Sequence, residues 1–122
     1  NILIYNKDGK VTNSWTHDLP QAHGLTITGE GSDQNLWITD SQAGRVLNVS
    51  LDGRLIRELV LPAGIIPADK KYQPTETAIA PNGDVYTTNS SFPSWHIEDG
   101  QPTLIRIEQN LTPENEQLKE AK

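Results

Sequence analysis

Short runs rich in apolar residues recur along the chain, separated by turn formers. Ile2, Leu3, Ile4 and Tyr5 lead into Asn6-Lys7-Asp8-Gly9, and a second run opens at Val11. Runs of this kind read as half-buried strands, and Asp-Gly supplies the positive φ angles that tight hairpins need. The same arrangement returns 44 residues later, with Val46, Leu47, Asn48 and Val49, then Asp52-Gly53, then Leu55. A second motif also recurs. Leu25-Thr26-Ile27, a loop of Gly, Asp and Asn, and Leu36-Trp37-Ile38-Thr39-Asp40 are echoed by Thr77-Ala78-Ile79, Pro81-Asn82-Gly83 and Val85-Tyr86-Thr87-Thr88-Asn89. Leu104-Ile105-Arg106-Ile107 reads as a third copy of the opening strand.

The pattern predicts an all-β chain. Residues 1–18 form two outer strands, 19–61 a complete four-stranded unit, 62–71 a surface linker, 72–109 a partial unit and 110–122 a tail. Four short strands repeating at roughly 40–45 residues are the pattern of β-propeller blades. Propellers close with about four to eight blades, so the predicted architecture is an incomplete ring of four-stranded antiparallel sheets. A plain antiparallel meander or sandwich would share the same hairpin chemistry. In the tail, Thr112 is placed to cap a helix with Pro113 at its first position and Glu114 and Glu116 in its first turn. A short C-terminal helix or a disordered tail is the expectation there.

Composition narrows the partners. The 122 residues make one domain at most, and 34% hydrophobic content with three Trp suits a folded one. The formal net charge is −6 and no Lys/Arg cluster interrupts it, which argues against a nucleic acid or an anionic membrane as partner. The absence of Cys removes disulfides, thiolate metal sites and cysteine nucleophiles. No apolar run is long enough to span a bilayer as a helix. The chain opens on Asn1 without a signal-peptide pattern, as expected of a sequence that begins within a longer protein.

Of the three His, His23 begins a strand, where the innermost strand of a propeller blade meets the central channel. It is a candidate metal ligand, and a His bonded only to backbone is its plainer reading. His17, between Thr16 and Asp18, reads as a surface loop residue, and His96 follows Trp95 in a segment with no assigned place. Ser90 and Ser91 have no base near them in sequence, and nucleophile-elbow, phosphate-loop and dinucleotide motifs are absent. Residues 29–35 are rich in oxygen ligands but lack EF-hand spacing, so they read as an extended hairpin turn before a calcium site. Asp40 and its counterpart Asn89 are expected to tie adjacent turns through side-chain to backbone bonds. Trp15, Trp37 and Trp95 are expected in packing between units, with Phe92, Pro93 and Trp95 an alternative recognition patch. Sequons stand at Asn48, Asn89 and Asn110.

The segments Ala22-His23-Gly24-Leu25-Thr26-Ile27, Leu36-Trp37-Ile38-Thr39-Asp40, Arg45-Val46-Leu47 and Gln73-Pro74-Thr75-Glu76-Thr77-Ala78-Ile79-Ala80 resemble NHL-repeat propellers. Among these they look most like the peptidylglycine α-amidating lyase family of six-bladed zinc enzymes. The resemblance implies that His23 takes the place of one of three zinc-ligating histidines. It also implies that the backbone near Leu25 lies where that family holds calcium, and that the protein is secreted or periplasmic. The chain departs from the family in its catalytic residues. The Tyr position falls on Ser91, the catalytic Arg would precede Asn1, the other two zinc histidines belong to later blades, and the resemblance fades after Tyr86. The functional expectation is therefore a non-catalytic binding or scaffold segment, completed as a homo-oligomer or by missing blades of a longer chain. The alternative is a zinc-dependent lyase-like fragment, of the peptidyl-amidoglycolate type, with His23 as metal ligand. Three copies of His23 converging on one axis would then supply the site.

Overall fold

Three short turns share one bonding scheme. Asn6 N–H donates to Lys10 O (2.9 Å) and Gly9 N–H to Asn6 O (3.0 Å). Ser50 with Arg54 and Gly53, and Ala80 with Asp84 and Gly83, repeat both bonds. The glycine adopts the left-handed conformation each time, with φ of 80°, 93° and 91° at Gly9, Gly53 and Gly83. Of each expected Asp-Gly pair only the Gly has positive φ, because three-residue hairpin loops place a single left-handed residue after an ordinary turn. Among the described residues Asp18 is the one non-glycine with positive φ.

The computed structural model describes residues 1–59, 61, 64, 66, 68–69 and 71–89, with the backbone of two later strands. Among the described residues ten strands are present: β1 Ile2–Tyr5, β2 Val11–Trp15, β3 Ala22–Thr28, β4 Asn35–Asp40, β5 Arg45–Ser50, β6 Leu55–Leu59, β7 Pro74–Ile79, β8 Val85–Asn89, β9 Leu104–Ile107 and β10 Leu118–Glu120. They form three antiparallel sheets: the pair β1-β2, then β3-β4-β5-β6, then β7-β8-β9-β10. Neighbours in sequence are neighbours in space, as in propeller blades. β1 and β5 lie in separate sheets, each as the inner member of an outer hairpin.

The middle sheet is covered on both faces, which is why β4 and β5 are apolar almost continuously. Leu36 and Ile38 of β4 join Leu47 and Val49 of β5 beneath Ile2, Trp15 and Leu19. On the opposite face Trp37 and Val46 meet Val85, with Leu59, Leu61, Tyr72 and Ile79 around them. A fully buried aliphatic side chain contributes roughly 1.5–3 kcal/mol, so these two layers supply the main adhesion between sheets. The Arg57 guanidinium lies 5.2 Å from the Trp37 ring centroid.

Two expectations are corrected. The linker does not lie wholly on the surface, because Ile66 is buried in the Trp37 layer between the second and third sheets. The tail does not continue as a helix through Leu118. Leu118, Lys119 and Glu120 pair with Ile107, Arg106 and Ile105 and make the unit begun by β7 four-stranded. A short, weakly anchored helix is marginal in water, whereas the unpaired edge of β9 is a ready template for another strand. Thr112, Pro113, Glu114 and Glu116 lie outside the described residues.

A candidate functional site around His23

Strand β3 carries a bulge between Ala22 and Gly24: Ala22 pairs with Asp40 and Gly24 with Thr39, leaving His23 as the extra residue. A bulge re-aims its side chain and interrupts the ladder, and bulges are frequent beside functional sites. Two contacts hold the bulge. Gly24 N–H donates to Thr39 Oγ1 at 2.8 Å. The Asp40 carboxylate, fully buried, accepts from Gln21 N–H and from Ala43 N–H, each at 2.7 Å. Asn89, at the end of β8, repeats the arrangement by accepting from Gln73 N–H at 3.0 Å. The expected structural role of Asp40 and Asn89 is what the side chains perform.

His23 is exposed, yet its ring is oriented. Nδ1 lies 2.9 Å from the carbonyl oxygen of Thr75 in β7, the first strand of the next sheet. A carbonyl oxygen only accepts, so Nδ1 carries the proton and Nε2 of the neutral ring presents its lone pair. Thr26 Oγ1 makes a second bond across the same junction, donating to Thr77 O at 2.9 Å. Glu76 Oε1 accepts from Thr77 N–H at 3.1 Å. Only glycine fits at position 24: a Cβ there would stand 2.5 Å from Thr75 O and 2.8 Å from both Glu76 Oε1 and Thr39 Oγ1.

The structure does not bring His17 to this place. Its Nε2 is bonded to Gly53 O at the turn between β5 and β6, and its ring packs edge-on to Trp15, with centroids 5.8 Å apart. Half-buried, it is a packing residue where a surface loop was expected. Arg45 closes the same seam, donating to His17 O at 2.9 Å while pairing with Glu58 at 2.8 Å. That pair holds the Glu58 carboxyl below the usual carboxylate range, chiefly through the bond from Arg45. His96, Ser90, Ser91, Phe92, Pro93, Trp95 and Asn110 lie outside the described residues. Residues 29–35 form the expected hairpin turn with a 3-10 turn at Gly31–Asp33. Among the described residues no three His, Asp or Glu side chains come together as metal ligands.

One sequence feature changes meaning in the fold. The Asn48 sequon is buried, and Asn48 Nδ2 donates to Asn35 Oδ1 (2.6 Å) and Leu36 O (3.1 Å). The nitrogen that a glycan would occupy holds strand β5 to β4. Sequence reasoning missed this because the sequon itself carries no burial signal; its place mid-strand between apolar residues does.

No family model matches the chain, and no solved structure matches it. A 43-residue stretch is 30% identical to NHL repeat-containing protein 3 of Mus musculus, covering 35% of this chain. The match supports an NHL-like fold. The chain covers 12% of that relative's length, close to one repeat unit of the kind seen here.

Proposed function

We propose that the chain is an NHL-type propeller segment serving as a non-catalytic binding or scaffold module, with the full ring supplied by further blades. The observation that carries this is the junction between β3 and β7. His23 and Thr26 spend polar contacts on joining two sheets, Gly24 leaves the room for their close approach, and the described residues around them assemble no nucleophile and base. The His23 side chain is exposed on a bulged strand tied to its neighbour, and sites built on strands are held more precisely than sites on loops.

One observation favours a second reading, the zinc-dependent lyase-like fragment. A metal-ligating His usually donates its other ring N–H to a carbonyl or carboxylate, which fixes the tautomer. His23 does so toward Thr75 O, and Nε2 would be the ligating atom. Zinc sites take three or four protein ligands, and the described residues fit one of those positions. Bound zinc would supply a Lewis acid; this chain's part is to hold and orient one imidazole. The experiment is metal analysis of purified full-length protein and of His23→Ala after dialysis with zinc. The module reading expects less than stoichiometric zinc in both. Stoichiometric zinc that His23→Ala loses would overturn it in favour of the lyase-like reading.

A further inference from the structure

Three turns close with the same backbone bonds but differ in chemistry. The β1-β2 turn reads Asn6-Lys7-Asp8-Gly9-Lys10, the β5-β6 turn Ser50-Leu51-Asp52-Gly53-Arg54 and the β7-β8 turn Ala80-Pro81-Asn82-Gly83-Asp84. In the first two an acid precedes the glycine and a base follows it. In the third an amide precedes the glycine and an acid follows it. Asn82-Gly83 is also the chain's single Asn-Gly pair. Asn82 is exposed and bridges to Asp84: Oδ1 accepts from Asp84 N–H at 3.0 Å and Nδ2 donates to Asp84 Oδ2 at 3.3 Å. Asp84 is itself buried. The surroundings separate the turns further. A Cβ on Gly53 would stand 2.6 Å from the Trp15 ring, whereas one on Gly83 would meet no atom of the described residues within 4 Å. Gly9 is equally open, but it follows a carboxylate.

We propose that Asn82 is a site of spontaneous modification, deamidating through a cyclic imide with Gly83, and that the product weakens the β7-β8 hairpin. The backbone nitrogen of Gly83 attacks Cγ of Asn82. The N–Cγ bond forms, the Gly83 amide proton is lost, the Cγ–Nδ2 bond breaks and ammonia leaves. Water, the second reactant, then opens the ring at either carbonyl and gives aspartate or isoaspartate. Glycine favours the first step because no Cβ shields its nitrogen. Asp8 and Asp52 are poorer centres, because a carboxylate resists the attack that an amide admits. The Ser50 hydroxyl also holds the Asp52 carboxyl below the usual carboxylate range. The fold gates the step. Gly83 N–H donates to Ala80 O at 2.8 Å, so the attack waits for local opening, which is easiest where few contacts hold the chain. Aspartate at position 82 would put a second carboxylate where an amide donated to Asp84, and like charges at that range repel. The other two turns have Lys10 and Arg54 at the place of Asp84. Isoaspartate adds a methylene to the backbone of a loop whose closure depends on its length.

The test incubates the full chain at neutral pH, folded and unfolded in urea, and follows every Asn-containing peptide by mass spectrometry. Hydroxylamine cleavage detects the imide, and electron-based fragmentation separates isoaspartate from aspartate. The proposal expects the mass shift of deamidation at Asn82 before any other Asn of the folded chain, with isoaspartate among the products, and a faster shift in urea. Asn82→Gln, whose longer side chain closes the ring poorly, should lose the shift at that position. Asn82→Asp, made directly, should melt below the parent because the repulsion with Asp84 is built in. An Asn82 that stays unshifted in the folded chain overturns the site, and so does an earlier shift at another Asn. Aspartate without isoaspartate overturns the cyclic-imide route, and equal rates with and without urea overturn the gate. Asn82→Asp melting with or above the parent overturns the weakening of the hairpin.

Discussion

Replacing Gly24 by alanine asks the junction of the second and third sheets to admit one methyl group. The new carbon would stand 2.5 Å from Thr75 O and 2.8 Å from Glu76 Oε1 and Thr39 Oγ1. Carbon–oxygen contacts close at about 3.3 Å, so β7 would have to withdraw by roughly 0.8 Å on that yardstick. Glu76 is exposed and can rotate away. Thr75 O is backbone, and it already accepts the His23 ring at 2.9 Å. Overpacking of this kind costs about 1–3 kcal/mol, and the gain of an alanine over a glycine inside a strand returns roughly 0.5–1 kcal/mol. The net loss is centred on about 1.2 kcal/mol, within about 0–2.5 kcal/mol. Unfolding entropy near 2.1 cal/mol/K per residue, taken over 122 residues, converts the central figure to a fall of about 5 °C in Tm. Thermal melting followed by circular dichroism reads the loss, and the His23 imidazole N–H signal in ¹⁵N NMR reads its location. Gly83→Ala is the control. It meets no atom within 4 Å but has φ of +91°, so it should lower Tm through backbone strain and leave the His23 signal in place. A Gly24→Ala protein that melts at or above the parent temperature, with His23 unchanged, would refute the close approach of β3 and β7.

Three further outcomes follow from the same contacts. Asp40→Ala removes the acceptor for Gln21 and Ala43 N–H and should cost about 2 kcal/mol in urea unfolding. Asp40→Asn should cost less, because Asn89 performs the equivalent task in the next sheet. Glu58→Gln should destabilise by a few tenths of a kcal/mol at pH 7, the range of an exposed ion pair. The Glu58 pKa is lowered in the folded state, so its contribution is present above the ordinary carboxylate value of about 4.3 and is lost as pH falls below it. Parent and variant melting curves should converge there, and a gap that persists under acid would show that Arg45 is not the cause. If the chain is made in a glycosylating host, the peptide containing Asn48 from folded protein should have its unmodified mass. Asn48→Ala should melt lower than the parent through loss of two buried bonds.

The hairpins were legible because turn chemistry is local. Asp8-Gly9, Asp52-Gly53 and Asn82-Gly83 each marked a loop that the backbone closes in the same way. Burial on both faces at Leu36-Trp37-Ile38 went unread, although unbroken apolar character is its signal; the segment was read only as a half-buried strand. Ile66 was not legible as core, since a lone apolar pair amid Pro and Gly has no period. Leu118–Glu120 looked helical because capping residues are a local signal, whereas the β9 edge that captures them is a distant one. At the candidate site, the position of His23 at a strand entrance could be read directly. Its bulge and its bond to Thr75 O could not, because Thr75 stands 52 residues away. His17 read as a loop residue for the same reason: Gly53 and Trp15 meet it only in the fold.

The central claim is that β1-β2 and β5-β6 are matching outer hairpins of separate, stacked sheets. Cross-strand Hα–Hα and amide NOEs on uniformly labelled protein test it most directly. The account predicts that Ile2 to Tyr5 contact only β2 along the backbone and that Arg45 to Ser50 contact both β4 and β6. The side chains of Ile2 and Trp15 should reach Leu36 and Leu47 across the stack. Backbone NOEs joining β1 to β5 or to β3 in one continuous sheet would contradict it.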